Sequence, residues 1–291
     1  MSVLFIDDDG ELNYKTAESL GLTNLIRMPY TICGNEYYYD LGRNYNAKEF
    51  FDAVRNGNMP ITSGLNVETY KEYFEPYFAK GEDILYVSFS SQMSSTFTYM
   101  DAAVKELSEK YPQAKFRRFD TKAISMATGL ACYYAGKMHK EGKSNDEIVD
   151  FLDKFVYRIN AIFSPNDLFH LKRGGRISAA AATAGTILKL KPIVRLNNEG
   201  KLVNTAKVQG RNKAVNYIID DVIKHVEDVD KYPIVILNAD CPDDAKKVET
   251  KLLEAFPSAE IWQYDVGPVI GTHCGPDTIA CIYVGKERFL N

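Results

Sequence analysis

The sequence predicts an α/β fold in two domains: an N-terminal domain on a parallel sheet, and a C-terminal α+β domain whose sheet is mainly antiparallel. Three observations predict it. Strand-like and helix-like segments alternate about four times before residue 140, and later strands come in hairpin-like groups. The 291 residues also suffice for two domains of common size. Because the character changes beyond Gly142, we place the domains at 1–156 and 157–291.

In the N-terminal half, short apolar runs alternate with amphipathic segments. The pattern predicts strands at 3–6, 84–87 and 115–119, a strand and hairpin at 25–39, and helices at 50–54, 70–77, 96–107 and 125–138. Asp7, Asp8 and Asp9 follow the first strand. Three carboxylates could bind a divalent cation, but no calcium-loop spacing follows them. We therefore expect a solvated turn that caps a helix.

The C-terminal half combines helices with strands in hairpin-like groups. The pattern predicts helices at 144–155, 179–190, 212–225 and 243–256, and strands at 157–163, 233–239, 260–264 and 278–284, with a turn at 197–200. This arrangement is typical of an α+β domain with a largely antiparallel sheet.

Composition and charge exclude several classes of protein. The net charge is -4, so there is no overall basic field to attract nucleic acid or an anionic membrane surface. No run approaches the roughly 20 apolar residues of a membrane span, and the N-terminus enters a strand without signal-peptide features. We expect a soluble cytoplasmic protein without stable membrane insertion. The five scattered cysteines indicate reduced thiols rather than disulfides or a zinc site.

Two hydroxyl clusters each precede a predicted helix. After the apolar run 84–87, five of the eight residues from Ser88 to Ser95 are serines. Ligands of open α/β sheets bind at the carboxyl ends of strands, and a helix N-terminus favours an anion, so we expect a carboxylate or phosphate near Ser94. The second cluster is Thr62 and Ser63. The alternative, simpler for either stretch alone, is a hydroxyl that caps the following helix among solvated neighbours.

The segment Leu171–Ser178 is the most distinctive part of the C-terminal half. Its two glycines lie between Arg173 and Arg176, and arginine suits planar recognition of phosphate or carboxylate. Further positive charge follows at Lys189, Lys191, Arg195, Lys207 and Arg211. We expect a basic patch here, the alternative being a solvated helix end.

A loop rich in glycine and proline runs from Val266 to Asp277. It contains three glycines, two prolines and His273. Such a loop has a fixed path and would hold the histidine where it can share a proton with a ligand or a neighbouring hydroxyl. Most single histidines are structural, which is the alternative here.

These motifs, in this order and over essentially the whole chain, resemble the DegV family of bacterial fatty-acid-binding proteins, which includes the FakB-type subunits of fatty acid kinase. Thr62 and Ser63 resemble its threonine and serine segment, and Ser90–Thr96 its serine-rich turn. Asp120 and Thr121, with Gly129, resemble its third segment. Leu171–Ser178 matches its basic glycine segment, Pro192 and Ile193 follow as expected, and 267–273 resembles its terminal loop.

The resemblance implies a DegV-like two-domain fold with a long-chain fatty acid, such as palmitate, stearate or oleate, buried between the domains. The carboxylate would be bound by Thr62, Ser63 and Ser94, with His273 nearby. A separate ATP-binding fatty acid kinase would phosphorylate the acid. Arg173, Arg176 and Arg211 match the basic residues that help dock that kinase or contact the acyl phosphate. No cofactor, metal or catalytic residue is implied.

Three departures from the family pattern occur: Ser95 replaces a glycine in the serine turn, Asp277 replaces a glycine, and Asp7 to Asp9 replace an aspartate and serine pattern. A second function also stays open at this point. The chain could be a hydrolase or transferase acting on a small anionic substrate, with Ser94 as nucleophile and His273 as base. The absence of a GxSxG elbow counts against it.

Overall fold

The structure is a computed structural model that describes residues 2–178 and 190–288. The chain divides into two compact units. The first comprises Met1–Thr31, Asn35–Asn44 and Thr62–Val156, and the second Ile32–Gly34, Tyr45–Ile61 and Tyr157–Asn291. The main division therefore falls after Val156, and two short earlier segments group with the second unit.

The elements up to Phe155 include both strands and helices. In chain order they are β1 (Ser2–Asp7), α1 (Tyr14–Ser19), β2 (Asn24–Ile26), β3 (Pro29–Ile32), β4 (Asn35–Tyr38), α2 (Ala47–Arg55), β5 (Ile61–Thr62), α3 (Val67–Phe78), β6 (Asp83–Ser88), α4 (Thr96–Lys110), β7 (Lys115–Asp120), α5 (Met126–Lys140) and α6 (Asn145–Phe155).

The later elements are β8 (Ile159–Ser164), α7 (Phe169–Arg173), β9 (Leu190–Leu196), β10 (Leu202–Gln209), α8 (Arg211–His225), β11 (Ile234–Asn238), α9 (Pro242–Ala255), β12 (Ile261–Asp265), α10 (Pro268–Cys274) and β13 (Ile279–Val284). They include the predicted strands near 157–163, 233–239, 260–264 and 278–284 and the predicted helices near 212–225 and 243–256, together with α7, β9, β10 and α10, which the sequence did not predict. Short 3-10 helices lie at Asp8–Gly10 and Val156–Arg158. The helix predicted at 179–190 lies outside the described residues except for Leu190, which begins β9.

The first unit contains a four-stranded parallel sheet with the order β2, β1, β6, β7. Its central strand β6 is an apolar run whose residues from Ile84 to Val87 are fully buried, as expected for a strand covered on both faces. In the register, Ile6 lies beside Val87, and Ser88 beside Asp120. The carboxyl ends of β1, β6 and β7 therefore meet at one edge. A separate three-stranded sheet has the order β4, β3, β5.

The expectation of a solvated turn at Asp7, Asp8 and Asp9 is wrong, because all three residues are buried. One oxygen of Asp7 accepts hydrogen bonds from the Phe89 amide and the Tyr86 hydroxyl, both 3.0 Å. The Asp8 carboxylate accepts from the Met28 amide at 3.0 Å. Burial raises the pKa of Asp7 to about 7 despite these bonds. It also raises the pKa of Asp8, with a further contribution from the charge of Asp9.

The second unit contains a six-stranded sheet with the order β10, β9, β8, β13, β11, β12. Four of its five strand pairs are antiparallel, and only β11 and β12 run parallel. Helices α8 and α9 bury their apolar residues in its core, which includes Ile218, Val222, Val248 and Leu252. The predicted fold class, a parallel sheet followed by a mainly antiparallel one, is confirmed.

Arg195 does not contribute to a basic patch on the surface. Its guanidinium is buried and forms a two-bond ion pair with Asp221, whose carboxylate also accepts from the Tyr283 hydroxyl at 2.9 Å. A buried charge needs such a partner, because an unpaired ion in the core is strongly destabilising. That part of the predicted patch is wrong.

Candidate functional site

The serines in the turn after β6 are of two kinds: some are held by burial or tertiary contacts, and others could contact a ligand. Ser88 and Ser90 are fully buried. The Ser91 hydroxyl donates to the Asp120 carboxylate at 2.6 Å, which ties the turn to the end of β7. Ser94 and Ser95 come last, directly before α4. The turn therefore offers a ligand these two residues rather than all five serines.

Ser94, not Ser95, makes the side-chain contact at the start of α4. Ser95 occupies the N-cap position, yet its exposed hydroxyl makes no capping hydrogen bond. Instead, the Ser94 oxygen accepts from the Thr96 amide at 3.2 Å. Because that oxygen acts as an acceptor, its proton can be donated to another group. The 15-residue helix behind it adds the positive end of its dipole.

The second hydroxyl cluster does not cap the helix that follows it. The N-cap of α3 is Asn66, whose side-chain oxygen accepts from the Thr69 amide at 2.9 Å. Thr62 ends β5, and the Ser63 amide donates to the Pro29 carbonyl at 3.2 Å. The capping alternative for Thr62 and Ser63 is therefore wrong, because the side chain of Asn66 caps this helix instead.

Thr96 connects the two hydroxyl clusters within the first unit. Its fully buried side-chain oxygen accepts from the Leu65 amide at 3.0 Å and shares a hydrogen bond of 2.9 Å with the Tyr70 hydroxyl. Gly64 packs directly on it, because a Cβ at that position would lie 3.2 Å from the Thr96 Cβ. The segments around Thr62 and Ser94 are thus held together, as a composite anion site requires.

In the second unit, His273 lies on a short helix rather than in the predicted loop. Helix α10 has Pro268 at its first turn, a position where a missing N–H costs little, and ends at Gly275, whose φ is +76°. Its Gly271 allows close packing, because a Cβ there would lie 2.9 Å from the Phe51 ring. This packing compensates for the weak helix propensity of the segment.

Helices α7 and α10 interlock through two histidine and glycine contacts. A Cβ at Gly174 would overlap Nδ1 of His273, and a Cβ at Gly275 would overlap the ring of His170. Each helix thus contributes a histidine that packs on a glycine of the other segment. The basic glycine segment and the terminal segment, which are about 100 residues apart in the chain, therefore form one structure.

Both histidines are neutral at neutral pH. Burial lowers the pKa of His273 to about 3, with further contributions from the positive charges of Arg176 and Arg173. Burial and Arg173 also lower the pKa of His170. A neutral imidazole can donate from one nitrogen and accept at the other. The cluster therefore carries its positive charge on the arginines.

The three predicted arginines have different surroundings within the second unit. Arg173 donates to the Pro60 carbonyl at 2.8 Å and the Thr272 carbonyl at 3.3 Å. Arg176 donates to the Gly174 carbonyl. Arg211 pairs with Asp244, which accepts from two of its nitrogens at 2.7 and 2.6 Å. Arg173 and Arg176 thus belong to the α7 and α10 cluster, whereas Arg211 is partly neutralised at the start of α8.

The predicted site residues divide between the units. Thr62, Ser63 and Ser94 belong to the first unit, and His273 with the three arginines to the second. Residues 2–178 and 190–288 contain no group of three or more His, Cys, Asp or Glu residues that could hold a metal ion. Over the same ranges, no helix combines the length and apolarity that crossing a bilayer requires.

Sequence reasoning missed three side chains of these clusters. Thr96 was predicted as the end of the serine-rich turn and the start of a helix, and Tyr70 only as part of the helix at 70–77. His170 precedes the basic glycine segment and carried no signal of its own. Their roles arise from contacts such as that between Tyr70 and Thr96, 26 positions apart, which no local pattern predicts.

The parallel sheet with its serine turn and the mixed six-stranded sheet define a two-unit α/β protein. The chain belongs to the DegV family: the family model described as "Uncharacterised protein, DegV family" matches residues 13–286. A DegV domain-containing protein of Clostridium perfringens is 35% identical to it over 286 residues, covering 98% of each chain.

Two solved structures show the same fold. One is described as a fatty acid binding DegV family protein from Streptococcus agalactiae, with a TM-score of 0.83, 25% identity and 99% of each chain covered. The other is described as a stearic acid-binding protein from Eubacterium ventriosum, with a TM-score of 0.85, 20% identity, and 98% of this chain and 99% of that chain covered.

Proposed function

We propose that this protein binds a long-chain fatty acid and presents its carboxylate to a partner kinase, without catalytic activity of its own. The observation that carries the proposal is the junction of two hydroxyl segments at the amino end of α4 in a member of the DegV family. The fatty acids in the descriptions of two structural neighbours support a ligand of this class.

Hydroxyl groups can satisfy the carboxylate without a full counter-charge. In the proposal, Thr62, Ser63 and Ser94 donate to its oxygens, and the dipole of α4 favours the negative charge. The proton of Ser94 is suited to this role because its oxygen already accepts from the Thr96 amide. An ion pair with a buried arginine would hold the carboxylate more strongly and would compete with formation of an acyl phosphate.

The acyl chain supplies most of the binding energy. Each buried methylene contributes about 0.8 kcal/mol, so a C16 chain gains on the order of 10 kcal/mol in an apolar tunnel. The headgroup must then be hydrogen-bonded, because an unpaired carboxylate would cancel much of this gain. The acyl chain would therefore supply the affinity, and the hydroxyls would fix the position of the carboxylate.

His273 is the fourth proposed carboxylate residue, acting as a neutral hydrogen-bond donor. Its low pKa disfavours the alternative in which it is a general base for a Ser94 nucleophile, since a base works best with a pKa near the operating pH. We therefore retain the binding function and regard the hydrolase or transferase as the alternative to be tested.

Arg173, Arg176 and Arg211 are the proposed contacts to the kinase and to the acyl phosphate. Guanidinium groups recognise phosphate through paired hydrogen bonds. The charges of Arg173 and Arg176 both lower the pKa of His273, and Arg173 donates to the adjacent Thr272 carbonyl, which supports their assignment. Because the proposed partner uses ATP, we also propose the cytoplasm as the compartment.

Lipid analysis of the purified protein tests this function. Native mass spectrometry and solvent extraction should show about one fatty acid per chain, and delipidated protein should take up palmitate or oleate. Serum-free medium excludes lipid carried over from serum. A protein that binds no lipid, expressed in the same cells, serves as the control. Lack of measurable uptake would contradict the proposal. Turnover of a test ester that is lost in Ser94→Ala would favour the enzyme.

A further inference from the structure

Thr96 lies at the contact between the two hydroxyl segments, and the sequence places it at the end of the serine-rich turn without indicating this contact. We propose that Thr96, supported by Tyr70, is a positioning residue that sets the geometry of the carboxylate-binding hydroxyls. The inference rests on the proposed function, because it concerns how the same headgroup site is built.

The backbone and side chain of Thr96 make contacts with both segments. Its amide donates to the Ser94 hydroxyl oxygen at 3.2 Å, and its side-chain oxygen accepts from the Leu65 amide at 3.0 Å. One residue therefore fixes the oxygen of Ser94 and the backbone three positions after Thr62. A change at Thr96 would alter the relative position of the two donors without removing either.

Tyr70 holds the Thr96 side chain in one orientation. The two hydroxyl oxygens are 2.9 Å apart, and both side chains are fully buried. Burial raises the pKa of Tyr70, so its hydroxyl stays protonated at neutral pH and maintains the hydrogen bond. Because Tyr70 lies on α3 and Thr96 begins α4, this bond also joins the two helices that follow the hydroxyl segments.

The packing around Thr96 excludes a looser arrangement. Gly64 approaches so closely that a Cβ there would lie 3.2 Å from the Thr96 Cβ and 3.3 Å from its oxygen. The segment that carries Thr62 and Ser63 is thus in van der Waals contact with the side chain that bonds it. Because the packing is this close, the neighbouring residues cannot shift to compensate for a change at Thr96. A small displacement of the headgroup hydroxyls is enough to weaken binding.

Three substitutions separate positioning from general stability. Thr96→Val removes the hydroxyl and keeps the branched shape, Thr96→Ser keeps the hydroxyl, and Tyr70→Phe removes only the supporting bond. The readout is the ratio of the Kd values for palmitate and methyl palmitate, since the ester shares the tail but lacks the charged headgroup. Thr98→Val, at an exposed position of α4, is the matched control.

We expect Thr96→Val to raise the Kd for palmitate at least tenfold while changing that for methyl palmitate less than threefold. Thr96→Ser should restore the wild-type ratio, Tyr70→Phe should give an intermediate value, and Thr98→Val should have no effect. If Thr96→Val does not fold, the inference is tested by the ratio of the two Kd values in Tyr70→Phe and Thr96→Ser. Equal loss of both ligands, or an unchanged ratio, overturns the inference. Wild-type protein that binds no palmitate would instead contradict the proposed function.

Discussion

His273 packs against Gly174 so closely that the α carbon of the glycine has no room for a side chain. The contact joins the basic glycine segment to the terminal helix, and its counterpart joins His170 to Gly275. The glycine pair between the arginines therefore has two separate uses. Gly175 provides a turn at φ +72°, whereas Gly174, at φ -75°, provides space for an imidazole.

This contact predicts that Gly174→Ala destabilises the protein by about 1–3 kcal/mol, the usual cost of overpacking. The backbone at Gly174 suits alanine, and the other close atom is the His170 carbonyl oxygen at 3.3 Å, so most of the cost should come from His273. In a His273→Ala background the same substitution should cost less than about 0.5 kcal/mol. Urea unfolding of the four proteins measures the coupling. Gly175→Ala is the control, because its backbone strain is equal in both backgrounds, and additive costs for Gly174→Ala would contradict the contact.

Loss of a headgroup hydroxyl should weaken fatty acid binding. We expect Thr62→Ala and Ser94→Ala each to cost about 1–3 kcal/mol of binding free energy, because a charged acceptor loses a hydrogen bond. Calorimetric titration of delipidated protein with oleate measures the change. Thr98→Ala is the matched control, since that threonine is exposed on α4 and belongs to neither hydroxyl segment. If both variants bind oleate as tightly as wild type, the headgroup assignment is rejected.

Removal of a docking cation should separate binding from phosphorylation. Arg173→Ala should take up fatty acid normally but be a poorer substrate for the kinase, with at least a tenfold lower rate. Because Arg173 also bonds the Pro60 carbonyl, melting temperatures must accompany the rates. Lys172→Ala removes a neighbouring exposed cation and should change neither quantity. Equal phosphorylation of the Arg173→Ala and wild-type proteins would remove the docking role.

Burial of Asp7 predicts a pH-dependent contribution to stability. Its pKa is about 7 in the folded protein against 3.8 in the reference state, so between these values the folded state holds a proton that the unfolded state releases. This contribution is fully present below pH 3.8 and is lost as the pH rises through 7. Relative to wild type, Asp7→Asn should therefore become more stable from pH 5 to 8, by up to about 1.4 kcal/mol per pH unit.

Unfolding in urea at several pH values measures this difference. The exposed Asp101→Asn variant is the control and should follow wild type at each pH. An Asp7→Asn curve parallel to that of wild type would show that Asp7 is ionised throughout the range.

Local patterns were sufficient for most of the fold. The buried run of β6 and the capping box of Ser144 and Glu147 at the start of α6 are visible in the sequence, because each depends on residues close together in the chain. The serine turn likewise indicated Ser94. What the sequence could not predict is which serines are consumed by tertiary contacts, such as that of Ser91 with Asp120.

The errors arose where distant backbone groups decide the outcome. Asp7 and Asp8 are buried because amides 82 and 20 residues away bond their carboxylates. The terminal segment is helical because Gly271 packs on Phe51, although its proline, glycine and threonine composition favours a loop. From the sequence alone Arg195 looks like a surface cation. It is buried because Asp221, on another element, pairs with its guanidinium. In each case tertiary structure overrides local preference.

The side-chain amide of Asn66 has one more consequence. Its oxygen caps α3 by accepting from the Thr69 amide, so the helix does not need Thr62 or Ser63 as its cap. Replacing them should retune which headgroup the protein accepts while leaving the scaffold intact. Under the proposed function, the residues that select the headgroup are therefore different from the residue that caps the helix.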